Sequence, residues 1–502
     1  MKHLSKTLNE QQNEQQEEKK QSEQQLREVQ RQKLINNNEI PYQHHYNQTG
    51  TIDTIIQQFS NLSPGEKDNT TFKIAGRLTA KRGHGKALFG NIQDHSGTLQ
   101  FYANISELKD LIFSKIESLN IGDIIGIEGT PFCTKRGELS LRLSHVELLT
   151  KSLHPLPEKF HGLQDKEKRY RQRYVDLIVN PEVKHTFKTR SKIITFIRQW
   201  LNNDAFMEVE TPVLQSIYGG AEAQPFITHH NELKQDLFLR ISLELPLKRL
   251  IVGGFEKIFE IGRVFRNEGV SYKHNPEYTL LELYQAYADY NDMMTLTETL
   301  LCNLVKKIHG SDSITYQNKT ISFKTPFKHI TLKNAFMQYV NVDINNIEEM
   351  AQKATSASLE TPQNPSKIQL ITLLYDHFIE PQLINPTFIT DHPWETSPLA
   401  KKHRNDPSLV ERFELIINGM EIANAYSELN DPIDQHNRFK DQQEARQKGA
   451  KNTHQMDADF ITALKYGMPP TGGLGIGIDR IVMLLADEPS IRDVLFFPHM
   501  KS

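Results

Sequence analysis

Three stretches of this chain concentrate side chains that could grip a charged ligand. The first spans Lys257 to Asp289. Lys257 to Phe265 alternates like a strand, Arg266-Asn267-Glu268-Gly269 opens a polar loop, and Tyr278 to Tyr287 reads as the returning strand. Side chains two apart on a strand share a face, so Arg266 and Glu268 fall together. On the return strand Glu282 and Tyr284 fall together while Leu281 and Leu283 point the other way. Charged groups would then line a surface backed by apolar packing, although exposed cross-strand ion pairs would leave the same pattern.

The second stretch, Arg412 to Asn430, has apolar runs on both sides of Asn418-Gly419, the pair favoured in two-residue hairpin turns. Such a turn pairs Ile417 with Met420 and Ile416 with Glu421, bringing Glu414 and Glu421 to one face. Two carboxylates there suit a hard divalent cation such as Mg²⁺, shared with phosphate oxygens. Asn424, Tyr426 and Glu428 alternate further along, but with the opposite parity to Glu421. A bulge must intervene if all of them face one cavity.

In the third stretch Gly472, Gly473, Gly475 and Gly477 precede Ile478-Asp479-Arg480 and an apolar helical run. Glycines on a strand admit a ligand or another chain segment closely, and Arg480 could present its guanidinium to phosphate or to a flat base. The stretch lacks the Lys-Ser/Thr ending of a Walker loop.

These stretches need elements to position them. Ile193, Ile194, Ile197, Trp200 and Leu201 recur at helical spacing and predict a helix over 187–203. Upstream, short strand-like runs at 72–78, 90–92, 98–103, 124–129 and 139–149, with a helical stretch near 106–116, predict a five-stranded Greek-key barrel of the OB type, a fold that often binds single-stranded RNA. There Phe89, Phe101 and Tyr102 could stack bases, and Arg77, Lys81, Arg82 and Lys86 could meet phosphates. The expected divisions are a Gln-rich, charged N-terminal extension over 1–45, read as a frayed helix or solvated tail, the barrel over 46–152, a linker over 153–168, and a catalytic domain over 169–502 with a helical insertion around 341–409. The fold class is α+β.

The 502 residues exceed what one core usually holds, and the net charge of -3 excludes coating of nucleic acid by bulk charge. Cys133 and Cys302 form no metal-binding spacing, which fits a reducing compartment. Glu10, Glu14, Glu17 and Glu18 do not suit a transit peptide, and no apolar stretch has signal length, so the expected location is cytoplasmic, without a membrane.

Together the blocks resemble the class II aminoacyl-tRNA synthetases, specifically the bacterial-type lysyl-tRNA synthetases, from about residue 70 to the C-terminus. Phe206-Met-Glu-Val-Glu-Thr-Pro212 resembles motif 1, Phe265-Arg-Asn-Glu268 with His274-Asn275-Pro276-Glu277-Tyr278 resembles motif 2, and Gly473-Leu-Gly-Ile-Gly-Ile-Asp-Arg480 resembles motif 3. Phe160-His-Gly-Leu-Gln164 and Arg169-Tyr-Arg-Gln-Arg-Tyr174 also fit. The resemblance implies an OB-type barrel followed by an antiparallel-sheet catalytic domain. It also implies ATP and L-lysine as substrates, Mg²⁺ as cofactor, tRNA-Lys as partner, and a homodimer joined through motif 1.

By the same resemblance Arg266 and Arg480 are the catalytic residues. Arg266 holds the lysine carboxylate and the α-phosphate, Glu268 reads the adenine amino group, and Tyr278 and Arg480 sandwich the adenine. His274 and Asn275 lie near the phosphates, and Glu414 and Glu421 hold Mg²⁺, Glu421 also meeting ATP. Glu244 takes the lysine α-amino group beside Gly220, and Asn424 and Tyr426 complete the pocket. A lysine side chain enters as an ammonium, with a pKa of about 10.4, and its burial requires acceptors. Glu282, Tyr284 and Glu428 would form that cage. Arg77, Phe89, Gln100 and Glu138 match anticodon-reading positions.

The chain departs from the family pattern at Gln224, where a basic residue is usual, at Tyr278 in place of Phe, and around Ser242-Leu243-Glu244-Leu245-Pro246. Two rival readings are an enzyme that lysylates a protein, which would lack the barrel, and an inactive RNA-binding scaffold, which would have lost Arg266, Glu421 or Arg480. All three are present.

Overall fold

In strand β2, Ala87–Gln93, every second side chain is buried, the period that a half-buried strand imposes. The computed structural model of the chain describes residues 22–157, 163–447 and 455–501. The expected motif residues Phe160, His161 and Gly162 and the first 21 residues of the Gln-rich extension lie outside them. The chain divides into two compact units, Met1–Gly162 and Leu163–Ser502.

In the first unit β1 (Phe72–His84), β2, β3 (Thr98–Asn104), β4 (Ile124–Cys133) and β5 (Leu139–Thr150) close into a barrel in the order β1-β2-β3-β5-β4. Register shifts at Leu78/Ala80 in β1 and at Glu128/Gly129 in β4 bend the strands enough to close the ring. Ile74, Leu88, Ile92, Leu99, Phe101, Ile125 and Leu141 fill its interior together with Ile52, Ile55 and Phe59 of the helix Ile52–Phe59.

Three expectations change here. Phe101 is buried in the barrel core, and a Cβ on Gly90 would lie 2.3 Å from its ring, so it cannot stack a base. Lys81 faces the end of the helix Asp110–Ser118, where its ammonium donates to the carbonyls of Glu117 and Leu119 at 2.6 and 2.5 Å. It satisfies the helix terminus rather than facing a phosphate. The part of 1–45 that is described is docked rather than solvated: residues 22–36 are helical, buried Arg27 donates to the Ser152 and His154 carbonyls at 3.3 and 3.4 Å, and Tyr42 bridges to Thr150.

The second unit is built on an eight-stranded sheet. Its strands are β6 (Met207–Glu208), β10 (Lys257–Phe265), β11 (Glu277–Ala286), β14 (Lys328–Thr331), β15 (Thr387–Pro393), β16 (Leu409–Ile417), β17 (Met420–Ser427) and β18 (Thr471–Gly477). Three further strands, β7 (Leu214–Gln215), β8 (Ile227–His230) and β9 (Gln235–Leu239), form a small sheet, and β12 (Ser313–Tyr316) and β13 (Lys319–Ser322) pair as a hairpin. The large sheet runs β14-β15-β16-β17-β18-β11-β10-β6. Its six central strands are antiparallel, and β14 and β6 add parallel edges.

Leu281, Leu283, Phe413, Leu415, Ala425 and Leu474 pack on one face against the helices Pro181–Asn203, Tyr290–His309 and Ile478–Leu485. The opposite face is covered by an apolar cluster that joins Leu243, Leu247 and Ile251 to Phe439 and Phe460. Glu282 and Tyr284 belong to that second face, as the alternation predicts.

The expected helical insertion over 341–409 is only partly helical. Helices Ile347–Ser356 and Lys367–Leu374 form a satellite core with Ile389 and Ile416. The stretch then enters β15, a member of the main sheet. Six of the seven β15 residues are buried, and a strand covered on both faces shows no alternation to read.

Candidate active site

The floor of the site is set by strand register. Gly473 of β18 lies opposite Tyr284 on β11 and Tyr426 on β17, while Gly477 lies opposite Leu280. Four residues of strand separate these positions, about 13 Å. The turn at Asn418-Gly419 has φ of 48° and 66°, both left-handed, which is why this dipeptide closes it. Ile417 pairs with Met420 and Ile416 with Glu421, and the register then shifts so that Leu415 meets Ala423. The extra residue is Ile422, and this bulge turns Glu421 to the same side as Asn424, Tyr426 and Glu428.

A cavity of about 480 Å³ results. Gly220, Glu244, Arg266, Glu268, His274, Asn275, Tyr278, Glu282, Tyr284, Glu421, Asn424, Tyr426, Glu428 and Arg480 all line it. At the Gly477 end the Arg266 guanidinium lies 5.4 Å from the centre of the Tyr278 ring. Arg266 is no longer in the strand but in the loop after it, fixed by its N–H donating to the Pro276 carbonyl at 2.7 Å. Arg480 donates to the Glu421 carbonyl and lies 3.6 Å from its carboxylate. Arg266 Nε and Asn275 Oδ1 are buried without a protein partner, two polar atoms left for a ligand. Partial burial, then the cations Arg480 and Lys273, holds the His274 imidazole below its usual range.

At the Gly473 end three buried carboxylates converge. Glu282 accepts from the Ser242 hydroxyl at 2.9 Å, the Leu243 N–H at 3.1 Å and the Tyr284 hydroxyl at 3.2 Å. Burial, then repulsion from Glu244, still pushes it up to about 7. Glu428 is 1 % exposed and its Oε1 has no donor. A Cβ on Gly473 would stand 1.9 Å from that oxygen, so only glycine leaves room for the carboxylate.

Several neighbours here were not singled out by residue type. Lys248, 0 % exposed, sits between Glu244 at 2.5 Å and Glu428. It follows Glu244 by four residues on the helix Glu244–Val252, a spacing that ordinarily marks a surface pair. Burial alone would discharge its ammonium, but Glu244 and Glu428 outweigh that and hold its pKa above the ordinary value. Arg412 donates to Asn424 Oδ1 at 3.1 Å, Ser397 Oγ at 2.7 Å and Glu414 at 2.6 Å. It lies two residues before Glu414 on one strand, so period two was the available signal.

Other expected residues are not all assembled. Glu414 does not line the cavity, its carboxylate being drawn to Arg412. The departure at Gln224 lies beside the motif 2 loop, its carbonyl accepting the Asn267 N–H at 2.8 Å. In the barrel, Phe89 lies opposite Tyr102, with ring centres 5.0 Å apart, and Gln100 donates to Ser140 at 2.8 Å; Glu138 is exposed. Arg77 donates to the Gly122 carbonyl at 2.7 Å and pairs with Gln93, whereas the β1 partner of Phe89 is Arg82. The structure does not bring Arg77 to Phe89.

An antiparallel sheet that carries an arginine loop on one hairpin and a glycine strand running into a second arginine is the arrangement of the class II tRNA synthetases. Residues 165–501 match the family model described as tRNA synthetases class II (D, K and N), and residues 72–149 match that of the OB-fold nucleic acid binding domain. The chain belongs to this class II family. Within it, the chain is 54% identical to the Lysine–tRNA ligase of Carboxydothermus hydrogenoformans over 92% of its own length and 94% of the relative's. It is 49% identical to that of Halalkalibacterium halodurans, over 94% and 96%. Identity to that of Nostoc punctiforme is 48%, over 95% and 87%.

Proposed function

We propose that the chain activates L-lysine with ATP, forming lysyl-adenylate and pyrophosphate, and then transfers the lysyl group to the 3′-terminal ribose of tRNA-Lys. One observation carries the reading. A single cavity holds guanidiniums and an aromatic ring near Gly477, and three buried carboxylates about 13 Å away near Gly473. The first end suits a nucleotide with its phosphates, and the second suits a cationic tail.

Lysine lies with its ammonium among Glu282, Tyr284 and Glu428 and its α-amino group toward Glu244. Its carboxylate, already ionised at neutral pH, faces Arg266. That carboxylate attacks the α-phosphorus of ATP; a new P–O bond forms, the bond to the bridging oxygen breaks, and pyrophosphate leaves with the electron pair. Arg266, with its unpartnered Nε, meets the charge that builds on the phosphoryl oxygens. Tyr278 and Arg480 flank the base, and Glu268 accepts from its amino group. No acid or base is needed in this step, so positioning and electrostatics supply the rate.

Of the two carboxylates expected to hold a divalent ion, Glu421 lines the cavity and Glu414 is held by Arg412. Among the described residues no three His, Cys, Asp or Glu side chains group as a metal site; Asp376 and Glu380 stand nearby, held above the usual carboxylate range by burial and by neighbouring carboxylates, with Lys273 3.6 Å from Glu380. Glu421, with Glu414 once it is released from Arg412, would hold Mg²⁺, which supplies charge neutralisation of the phosphates when bound.

Phe89, Tyr102 and Phe132 form a line of aromatic rings on the barrel. Together with Gln100 and Glu138 it suits unstacked anticodon bases. Met207 in the motif 1 stretch and Val213, Leu214 and Ile217 just after it, each more than a third exposed, suit a homodimer contact, which sedimentation tests directly. Among the described residues no helix is long and apolar enough to cross a membrane. The two free cysteines, Cys133 and Cys302, suit work in the reducing cytoplasm.

The deciding experiment is ATP–pyrophosphate exchange with each proteinogenic amino acid. Lysine alone should support it; exchange driven instead by aspartate or asparagine, or none at all, overturns the assignment.

A further inference from the structure

We propose that Lys248 is a positioning and specificity-determining residue, a built-in cation that leaves the carboxylate cage short of two positive charges, the number a free diamino acid brings. The inference rests on lysine being the substrate and concerns how the chain counts the charges of that substrate.

The Lys248 ammonium has no access to water and touches Glu244 and Glu428 at once. It also lies 5.5 Å from the centre of the Tyr426 ring. By engaging Glu428 through Oε2 it leaves Oε1 turned to the cavity wall at Gly473 without a donor. Its helix is anchored by Leu247 and Ile251, which pack in an apolar cluster with Phe439 and Phe460.

The groups facing this end are Glu244 and Lys248 from the helix, Glu282 and Tyr284 from β11, Tyr426 from β17 and Glu428 just beyond it; β18 offers glycines and Leu474 but no charged group. Three carboxylates against one ammonium leave a deficit of two. The α- and ε-ammonium groups of lysine close it, while the lysine carboxylate is met by Arg266. A ligand with one ammonium leaves either a buried unpaired carboxylate or a proton held in its place, both costly in a dry site. Without Lys248 the deficit becomes three, and lysine itself no longer closes it. One cage carboxylate must then stay protonated in the complex.

A lysine that merely ties a helix to a strand would behave differently. Its replacement by methionine of similar length would disturb both substrates alike and leave the pH dependence untouched. The test compares the parent chain, Lys248→Met and the double variant Lys248→Met/Glu428→Gln in pyrophosphate exchange, with lysine and ATP varied separately from about pH 6 to 8.5.

For Lys248→Met we expect the KM for lysine to rise at least about tenfold while kcat and the KM for ATP stay within about threefold. In the parent the lysine KM falls as the cage deprotonates with rising pH, and in Lys248→Met, where loss of the cation raises the cage carboxylates further, that fall moves to higher pH. The double variant returns the deficit to two and should bind lysine better than Lys248→Met alone. A lysine KM and pH profile equal to the parent's, an equal rise in both KM values, or simply additive losses in the double variant overturns the role of Lys248. So does the failure of both variants to fold, which would assign Lys248 to stability. If the parent itself shows no lysine-dependent exchange, the lysine reading falls first, and this inference with it.

Discussion

Arg266 and Glu282 show how single side chains divide the work. Arg266 carries a buried nitrogen with no protein partner, so it adds little to the fold that a ligand does not complete. Arg266→Ala should therefore melt within a few degrees of the parent yet lose about a hundredfold or more in pyrophosphate exchange, the scale for losing a donor to developing charge. Near-parental exchange would remove Arg266 from the chemistry.

Glu282 makes the complementary case. Burial, then Glu244, raises its pKa from 4.5 to about 7. The folded chain thus holds a proton that the unfolded chain has already lost. Its contribution to stability is full below about pH 4.5 and fades as the pH rises through about 7. Above that pH the ionised carboxylate favours a ligand that brings a cation, and the lysine ammonium keeps its charge to about pH 10. Lysine should therefore raise the melting temperature more at about pH 8 than at about pH 6. A shift that is equal at both, or smaller at the higher pH, would exclude Glu282 from the cage.

At the scale of elements the decisive features are a bulge and a glycine strand. Ile422 turns Glu421 toward Asn424, and β18 lies between the two hairpins with glycine where their side chains cross it. A methyl group on Gly473 would collide with Glu428 Oε1 and lie 2.6 Å from the Tyr284 ring. Overpacking of this kind costs about 1–3 kcal/mol. Gly473→Ala should therefore raise the lysine KM about tenfold or more while the ATP KM, set some four residues away, changes less than about threefold. Equal effects would mean that the carboxylate is not part of the lysine end.

These elements also mark what could be read from residue order alone. The Asn418-Gly419 turn is local chemistry, and the opposite parities of Glu421 and Asn424 on one strand already demanded an extra residue between them. β15 was hidden because it is covered on both faces, which erases alternation. Lys248 was hidden because a lysine four residues after a glutamate normally sits in water. Phe101 and Tyr102 are neighbours in sequence and point to opposite sides of the barrel wall. Only the register decides which of them is core.

At the scale of the whole molecule the barrel core and the core beneath the large sheet are separate apolar clusters, with no buried side chain common to both among the described residues. The cavity and every side chain assigned to activation belong to Leu163–Ser502, while the aromatic rings at Phe89, Tyr102 and Phe132 belong to Met1–Gly162. Phe89 is half-buried in an outward-facing position of β2, so its removal leaves the barrel interior intact. Stacking of one base on an aromatic ring is worth about 1–3 kcal/mol. Phe89→Ala should accordingly raise the KM for tRNA in lysylation by about five- to a hundredfold and leave lysine-dependent pyrophosphate exchange within about twofold of the parent. A parallel loss in both assays would mean that the barrel supports the catalytic unit rather than reading RNA. Unchanged charging would move the anticodon contact away from this face.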